Sequence, residues 1–195
     1  MIESKMVLPI TAYGHPTLKK VAQEIKKNYP HLNELIRDMF ETMYATGGVG
    51  LAAPQVNLPI RLLVMDATAY EEVDPQAKGF KKVLINPQIV EEKGDEWIFN
   101  EGCLSIPDIR EDVFRKPQIR IQYYDENWNF FDEYYSSVMA RIIQHEYDHL
   151  QGIMFVDRIS NIRKVLLRRK LLDISRGNID VGYKMIFPLI KKGRK

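Results

Sequence analysis

The sequence predicts an α+β fold, with antiparallel β-strands between helices and a further helix near the C-terminus. Three observations carry that expectation. Short strand-like runs follow one another between residues 60 and 135, separated by tight turns rather than helices, which suits hairpin-joined antiparallel strands and not βαβ units. Segments with apolar residues spaced by three and four flank that block, as helices with one buried face do. The chain has 195 residues, 45% hydrophobic and 28% charged, so it can bury a sizeable core without disulfide staples.

The first helix is expected over His31 to Ala45, where Leu32, Leu35, Ile36, Met39, Phe40, Met43 and Tyr44 describe one face. Gly47, Gly48 and Gly50 end it, and a loop is expected from Leu51 to Asn57. The strand-like runs are Ile60–Asp66, Lys82–Ile85, Gln88–Glu92, Glu96–Asn100, Gln118–Tyr124 and Asn129–Tyr135. Turn chemistry divides them at Asn86-Pro87, Lys93-Gly94-Asp95 and Asp125-Glu126-Asn127. A second helix is expected from about Val138 to Gln151, capped by Ser136 or Ser137, with Gly152 suited to the left-handed position past its end. A third runs from about Asn161 to Ile174, capped by Ser160 and stopped near Gly177, with Ile162, Val165, Leu166 and Leu172 as its protein-facing side. A last strand is expected within Val181 to Phe187.

No repeat, low-complexity stretch or linker interrupts this pattern, so residues 1–195 read as a single domain with a basic helix and tail from about residue 158. No run reaches the 18 apolar residues of a membrane span, so no membrane partner is expected. The segment after Met1–Lys5 is too short, and broken too early by Pro9, for a signal peptide. The single cysteine, Cys103, excludes an internal disulfide and fits a reducing cytoplasm. Net charge is only +2 but uneven: from Arg158 onward 12 Lys/Arg face only Asp173 and Asp180, a net +10. That segment reads either as a solvated basic face or as a contact for phosphate or another acidic surface.

His145-Glu146-Tyr147-Asp148-His149 is an HExxH motif. Four residues advance a helix by about 400°, so both imidazoles lie on one face and can reach one metal, with Glu146 beside them as a base for a metal-bound water. The flanking Met139, Ile142, Ile143 and Leu150 mark the helix as buried, and two buried histidines need polar partners. A catalytic metal of this kind usually takes a third protein ligand. In one zinc-protease pattern it is a His ten residues after the first, but Phe155 stands there. No Glu or His follows His149, so the third ligand lies upstream unless an Asp such as Asp157 serves. Upstream candidates are Cys103, His15, His31 and carboxylates. By spacing alone, Cys103 fits a thiolate ligand and a small buried hydrophobe equally.

Three ordered segments narrow the choice: Gly48-Val49-Gly50-Leu51-Ala52-Ala53-Pro54-Gln55, Glu101-Gly102-Cys103-Leu104-Ser105 and Gln144 to His149. They resemble the three signature motifs of the peptide deformylases, and the likeness extends from about residue 32 to 158. The resemblance implies an α+β fold with antiparallel β-sheets packed around a central HExxH helix, and an enzyme that removes the formyl group from the N-terminal formyl-methionine of nascent polypeptides. It implies that Cys103, His145 and His149 hold one divalent metal, iron(II) in this family and replaceable by zinc, nickel or cobalt. It makes Glu146 the general acid/base, and Gln55 and the Leu104 backbone N–H the donors to the oxyanion. Gly50 would contact substrate backbone, while Val49, Leu104 and Ile142 would line the methionine pocket. The attacking group would be a metal-bound water or hydroxide. Because the implied substrate emerges from the ribosome, the basic C-terminal region gains RNA phosphate as a candidate partner. A zinc endopeptidase is the alternative enzyme class, disfavoured by the absent downstream ligand. A non-catalytic homologue that binds nascent chains is disfavoured by the intact Glu146 and Gln55.

Overall fold

The computed structural model describes residues 6–188. β1 (Ile10–Thr11) precedes α1 (Leu32–Ala45), and β2 (Gly50–Ala52), β3 (Leu62–Asp66) and β4 (Lys81–Lys93) follow. Then come β5 (Trp97–Cys103), β6 (Ile106–Arg115), β7 (Gln118–Tyr124), β8 (Phe130–Ser136) and α2 (Ser137–Leu150). The one-turn α3 (Phe155–Arg158), α4 (Asn161–Arg176) and β9 (Met185–Ile186) complete the order. Strands β2-β3-β4-β7-β8 form an antiparallel five-stranded sheet, and β5 pairs with β6 as a separate antiparallel ribbon. The α+β expectation holds, with β1 and β9 the one parallel pair among the described strands.

The sheet is covered on both faces, and β3 shows why its sequence is a continuous apolar run. Leu63 and Met65 point toward α2 and pack with Met139, Ile142 and Ile143. Leu62 and Val64 point the other way and pack with Ile36, Met39, Phe40 and Met43 of α1. The β5–β6 ribbon is tied to α2 through the Arg141 guanidinium, which donates to Trp97 O (2.8 Å) and Val113 O (3.0 Å). α3 and α4 close a third cluster, in which Ile106, Ile109 and Val113 meet Phe155, Val156, Leu167, Leu171 and Ile174. α2 therefore runs between the sheet and the ribbon, and the HExxH residues face the seam between them.

Several boundaries differ from expectation. Asn86-Pro87 is no turn between two strands but a bulge inside one, β4, with the register shifting between Ile85 and Gln88. Asn86 takes a left-handed conformation (φ 50°) and its amide bridges Ile25 N and Ile25 O, so the turn-like dipeptide serves the bulge. The expected loop after Gly50 begins as β2 and continues as a 3-10 turn over Ala53–Val56. β6 had no counterpart among the expected strands. The N-terminus of α2 has Ser136 at the capping position, without the expected side-chain hydrogen bond. The Ser160 cap on α4 and the left-handed Gly152 and Gly177 are present as expected. The last strand shrinks to two residues.

The inner face of α4 is not the expected one. Ile162, Val165 and Leu166 are 75%, 71% and 64% exposed, whereas Leu167, Leu171 and Ile174 are buried. In this rotation Arg163 pairs with Glu111 of β6 (Nε to Oε2 2.8 Å). Arg168, Arg169 and Lys170 remain exposed. Lys191, Lys192, Arg194 and Lys195, which the sequence adds to the basic set, lie outside the described residues.

Candidate metal centre

Cys103 ends β5, while His145 and His149 share one face of α2. Their ligand-type atoms all lie within 4.8 Å of one another. Cys103 Sγ is 3.4 Å from His149 Nε2, and the two imidazole rings stand almost perpendicular at 5.1 Å. A sulfur and two imidazoles at such spacing fit a four-coordinate divalent metal with one position left for solvent. The competing ligands are engaged elsewhere. His15 caps the turn at Thr17, His31 pairs with Glu34, and Asp157 caps Met154 N while bonding Lys19. Phe155, at the place of the missing protease ligand, stacks against the His145 ring.

A carboxylate orients the first imidazole. His145 Nδ1 lies 2.8 Å from Glu101 Oε2, which leaves Nε2 for a metal. Glu101 is in turn held by Arg115 (2.7 and 2.9 Å) and Arg141 (2.9 Å). Arg115 reaches on to Asp148 (2.7 Å), which also pairs with Arg158. Burial alone would raise the Glu101 pKa, but the Arg115 and His145 bonds outweigh it and keep it ionised well below the usual carboxylate range. Burial would likewise lower His145, yet its bonds to Cys103 and Glu101 hold it well above the usual histidine range. His149 is pushed well below that range by burial and by the neighbouring His145. A cation bound by these donors would displace any proton they carry.

Glu146 sits on the cavity side of the same helix. Burial pushes its pKa up to about 7, and its Oε2 has no hydrogen-bond partner. A buried, unsatisfied carboxylate oxygen beside three ligand groups fits a solvent molecule held by a cation. Gln55 comes from the turn after β2. Its Oε1 accepts from Ala52 N (2.8 Å), which aims Nε2 at Cys103 Sγ (3.5 Å). The cavity, of about 570 Å³, is lined by Val49, Gly50, Gln55, Cys103, Leu104, Ile142, His145 and Glu146, which brings together the residues singled out from the sequence except the deeper His149. Gly50 has a role the sequence did not suggest: a Cβ there would lie 2.5 Å from Glu146 Oε1 and 2.8 Å from its Cγ.

The sequence reading missed the Glu101–Arg115–Arg141–Asp148 network and the Tyr183 end of the cavity. Arg141 and Asp148 could have been suspected, since both fall in a helix that its apolar residues mark as buried, where charges need partners. Nothing local marks Tyr183.

The family model for polypeptide deformylase matches residues 7–165. The chain is 56% identical over 196 residues to a peptide deformylase of Christiangramia forsetii, covering 97% of this chain and 100% of that protein. It is 50% identical over 196 residues to one of Flavobacterium johnsoniae, with 97% and 100% covered. Among solved structures, a plant peptide deformylase superposes with a TM-score of 0.79 at 31% identity, covering 94% of this chain and 100% of that one. A peptide deformylase from Legionella pneumophila superposes with a TM-score of 0.76 at 35% identity, covering 88% and 97%.

Proposed function

The chain belongs to the peptide deformylase family and is a hydrolase that deformylates peptides; from that premise we propose that it removes the formyl group of N-formylmethionyl nascent polypeptides by metal-assisted hydrolysis, with Cys103, His145 and His149 as the metal ligands. The observation that carries this reading is the convergence of those three donors within 4.8 Å of one another, with Cys103, His145 and Glu146 lining one cavity. A divalent ion there, iron(II) natively with zinc, nickel or cobalt able to replace it, would supply a water acidic enough to yield hydroxide near neutral pH.

The remaining steps fall to the chain's own side chains. Glu146 takes the proton of the attacking water and returns it to the departing amine, releasing formate. Burial raises its affinity for a proton, and a cation beside it would draw that affinity back down. Gln55 Nε2 and the Leu104 N–H donate to the oxygen that gains charge as the formyl carbon becomes tetrahedral. Gln55 is already oriented by Ala52, so little reorganisation is needed. Val49, Leu104 and Ile142 give the apolar wall for the methionine side chain, and Gly50 borders the substrate backbone.

We read residues 1–195 as one catalytic domain with a basic extension from about residue 158. No described helix is long and apolar enough to cross a membrane. We assign the enzyme to the cytoplasm, where its lone thiol stays reduced and its substrate is made. The exposed Arg168, Arg169 and Lys170 support a contact with ribosomal phosphate. The decisive experiment is anaerobic purification with metal analysis, then a formate-release assay on formyl-Met peptides. One equivalent of divalent metal and formate release are expected. A metal-free active protein, or cleavage of internal peptide bonds instead, would overturn the reading.

A further inference from the structure

The signature motifs end at His149, but the cavity wall continues into the C-terminal segment, where Asp180, Val181, Gly182 and Tyr183 line it. They reach it because α4 stops at Gly177 in the left-handed conformation (φ 76°), where Phe187 packs against the glycine. Beyond this reversal β9 joins β1: Ile10 N–H donates to Lys184 O and Ala12 N–H to Ile186 O, both at 2.8 Å. Two bonds then cross from these paired segments to the turn after Cys103. Tyr13 N–H donates to Ser105 O (2.9 Å), and the Tyr183 hydroxyl donates to Leu104 O (2.8 Å).

Leu104 and Ser105 are the central pair of the turn joining β5 to β6, with Cys103 opposite Ile106. Both carbonyls of this central pair are held from outside the turn, Leu104 O by the Tyr183 hydroxyl and Ser105 O by Tyr13 N–H, so the position of each central residue is fixed by one bond. The N–H of a first central residue is not used by the turn's own hydrogen bond, so Leu104 N–H is free to act as a donor to substrate.

We propose that Tyr183 is a positioning residue for catalysis: its hydroxyl anchors Leu104 by the carbonyl and thereby holds in place the residue whose N–H donates to the substrate oxyanion. The inference rests on the deformylase reading of Leu104. Burial, with the nearby Cys103 and Asp108 adding to it, pushes the Tyr183 pKa up to about 12, so the hydroxyl keeps its proton throughout the working range. The β1–β9 pairing and the packing of Phe187 do not depend on that hydroxyl.

The test is Tyr183→Phe in the full chain, which keeps the ring and removes one oxygen. Loss of a whole oxyanion donor costs about 10²–10³ in rate, so a loosened donor should lower kcat on a formyl-Met peptide about tenfold. KM should stay within about twofold, and bound metal should be unchanged. Amide hydrogen exchange at Ser105 should accelerate, while Ile10 and Ala12 exchange as in the wild type. A wild-type chain that releases no formate would overturn the functional reading itself. An active wild type with unchanged kcat in Tyr183→Phe would overturn the positioning role alone. So would a kcat loss accompanied by faster exchange at Ile10 and Ala12, because that marks a loosened fold.

Discussion

Replacing Gly50 by alanine should strike the reaction through Glu146 rather than through substrate binding. The added Cβ would fall 2.5 Å from Glu146 Oε1, 2.8 Å from Cγ and 2.9 Å from Cδ, against ordinary contacts that begin at 3.4 Å. Rotating the carboxylate cannot relieve this, because Cγ is crowded as well as the terminal oxygen. The side chain must move as a unit by about 1 Å, and misplacing a reacting group by that much costs about 10²-fold in kcat. Overpacking of a buried site costs about 1–3 kcal/mol, or roughly 2–12 °C in Tm for a chain of this size. Steady-state kinetics on a formyl-Met peptide, metal content and a thermal melt measure the three effects separately. The expected pattern is a large fall in kcat with near-normal KM and full metal. If Gly50 acts only by touching substrate backbone, Gly50→Ala will raise KM and leave kcat alone, and the steric argument is refuted.

Other perturbations follow from the same geometry. Cys103→Ala should strip the metal and abolish turnover, since two imidazoles bind far more weakly than a closed set of three ligands; a fully metallated, active variant would remove Cys103 from the site. Glu101→Gln should lower stability by about 3–5 kcal/mol, because it leaves Arg115 and Arg141 under-compensated in the interior, and should weaken metal binding roughly 10–100-fold by freeing His145; equilibrium denaturation and metal titration check both, and wild-type values in both would refute the network's role. Asp132 is lowered to about 2 by its bond with Arg120, so the stability this exposed pair adds is present above the carboxylate's usual 3.8 and is lost as pH falls through about 2; carboxyl NMR titration should show the low value return toward 3.8 in Arg120→Gln, and no change would refute the pairing. Neutralising Arg168, Arg169 and Lys170 should weaken co-sedimentation with ribosomes at low salt while leaving turnover on a short peptide intact; equal sedimentation would reduce them to a solvated face.

What the sequence revealed depended on whether burial was local. α1 and β3 were legible because their buried residues are apolar and regularly spaced. β6 was not, because its inward set is Ile109, Glu111, Val113 and Arg115, half of it charged. Those charges are tolerated only because Arg163, Glu101 and Asp148 meet them from distant segments. Tertiary contact also decides α4. That helix carries two apolar stripes, Ile162-Val165-Leu166 and Leu167-Leu171-Ile174, and periodicity cannot choose between them. The second packs with Ile106, Ile109 and Val113 of β6, with Arg163 paired to Glu111 beside it, and the first stays in solvent.

The metal ligands illustrate the same division. His145 and His149 could be read as partners because four residues on a helix define their geometry. Cys103 could be joined to them only by resemblance, since the β5–β6 ribbon could in principle dock anywhere along α2. In the structure its position is set by charge. Arg141, His145 and Asp148 recur on the buried face of α2, and the ribbon offers Glu101 to the first two and Arg115 to the third in this register. Sliding the ribbon by one residue would turn Glu101 and Arg115 to the other face, strand Arg141 in the interior and leave Asp148 with Arg158 alone, a cost of several kcal/mol for the unpaired ion. The network therefore serves the chemistry without touching substrate: the docking that brings Cys103 Sγ to the two imidazoles is the one that pairs Glu101 with Arg115, Arg141 and His145.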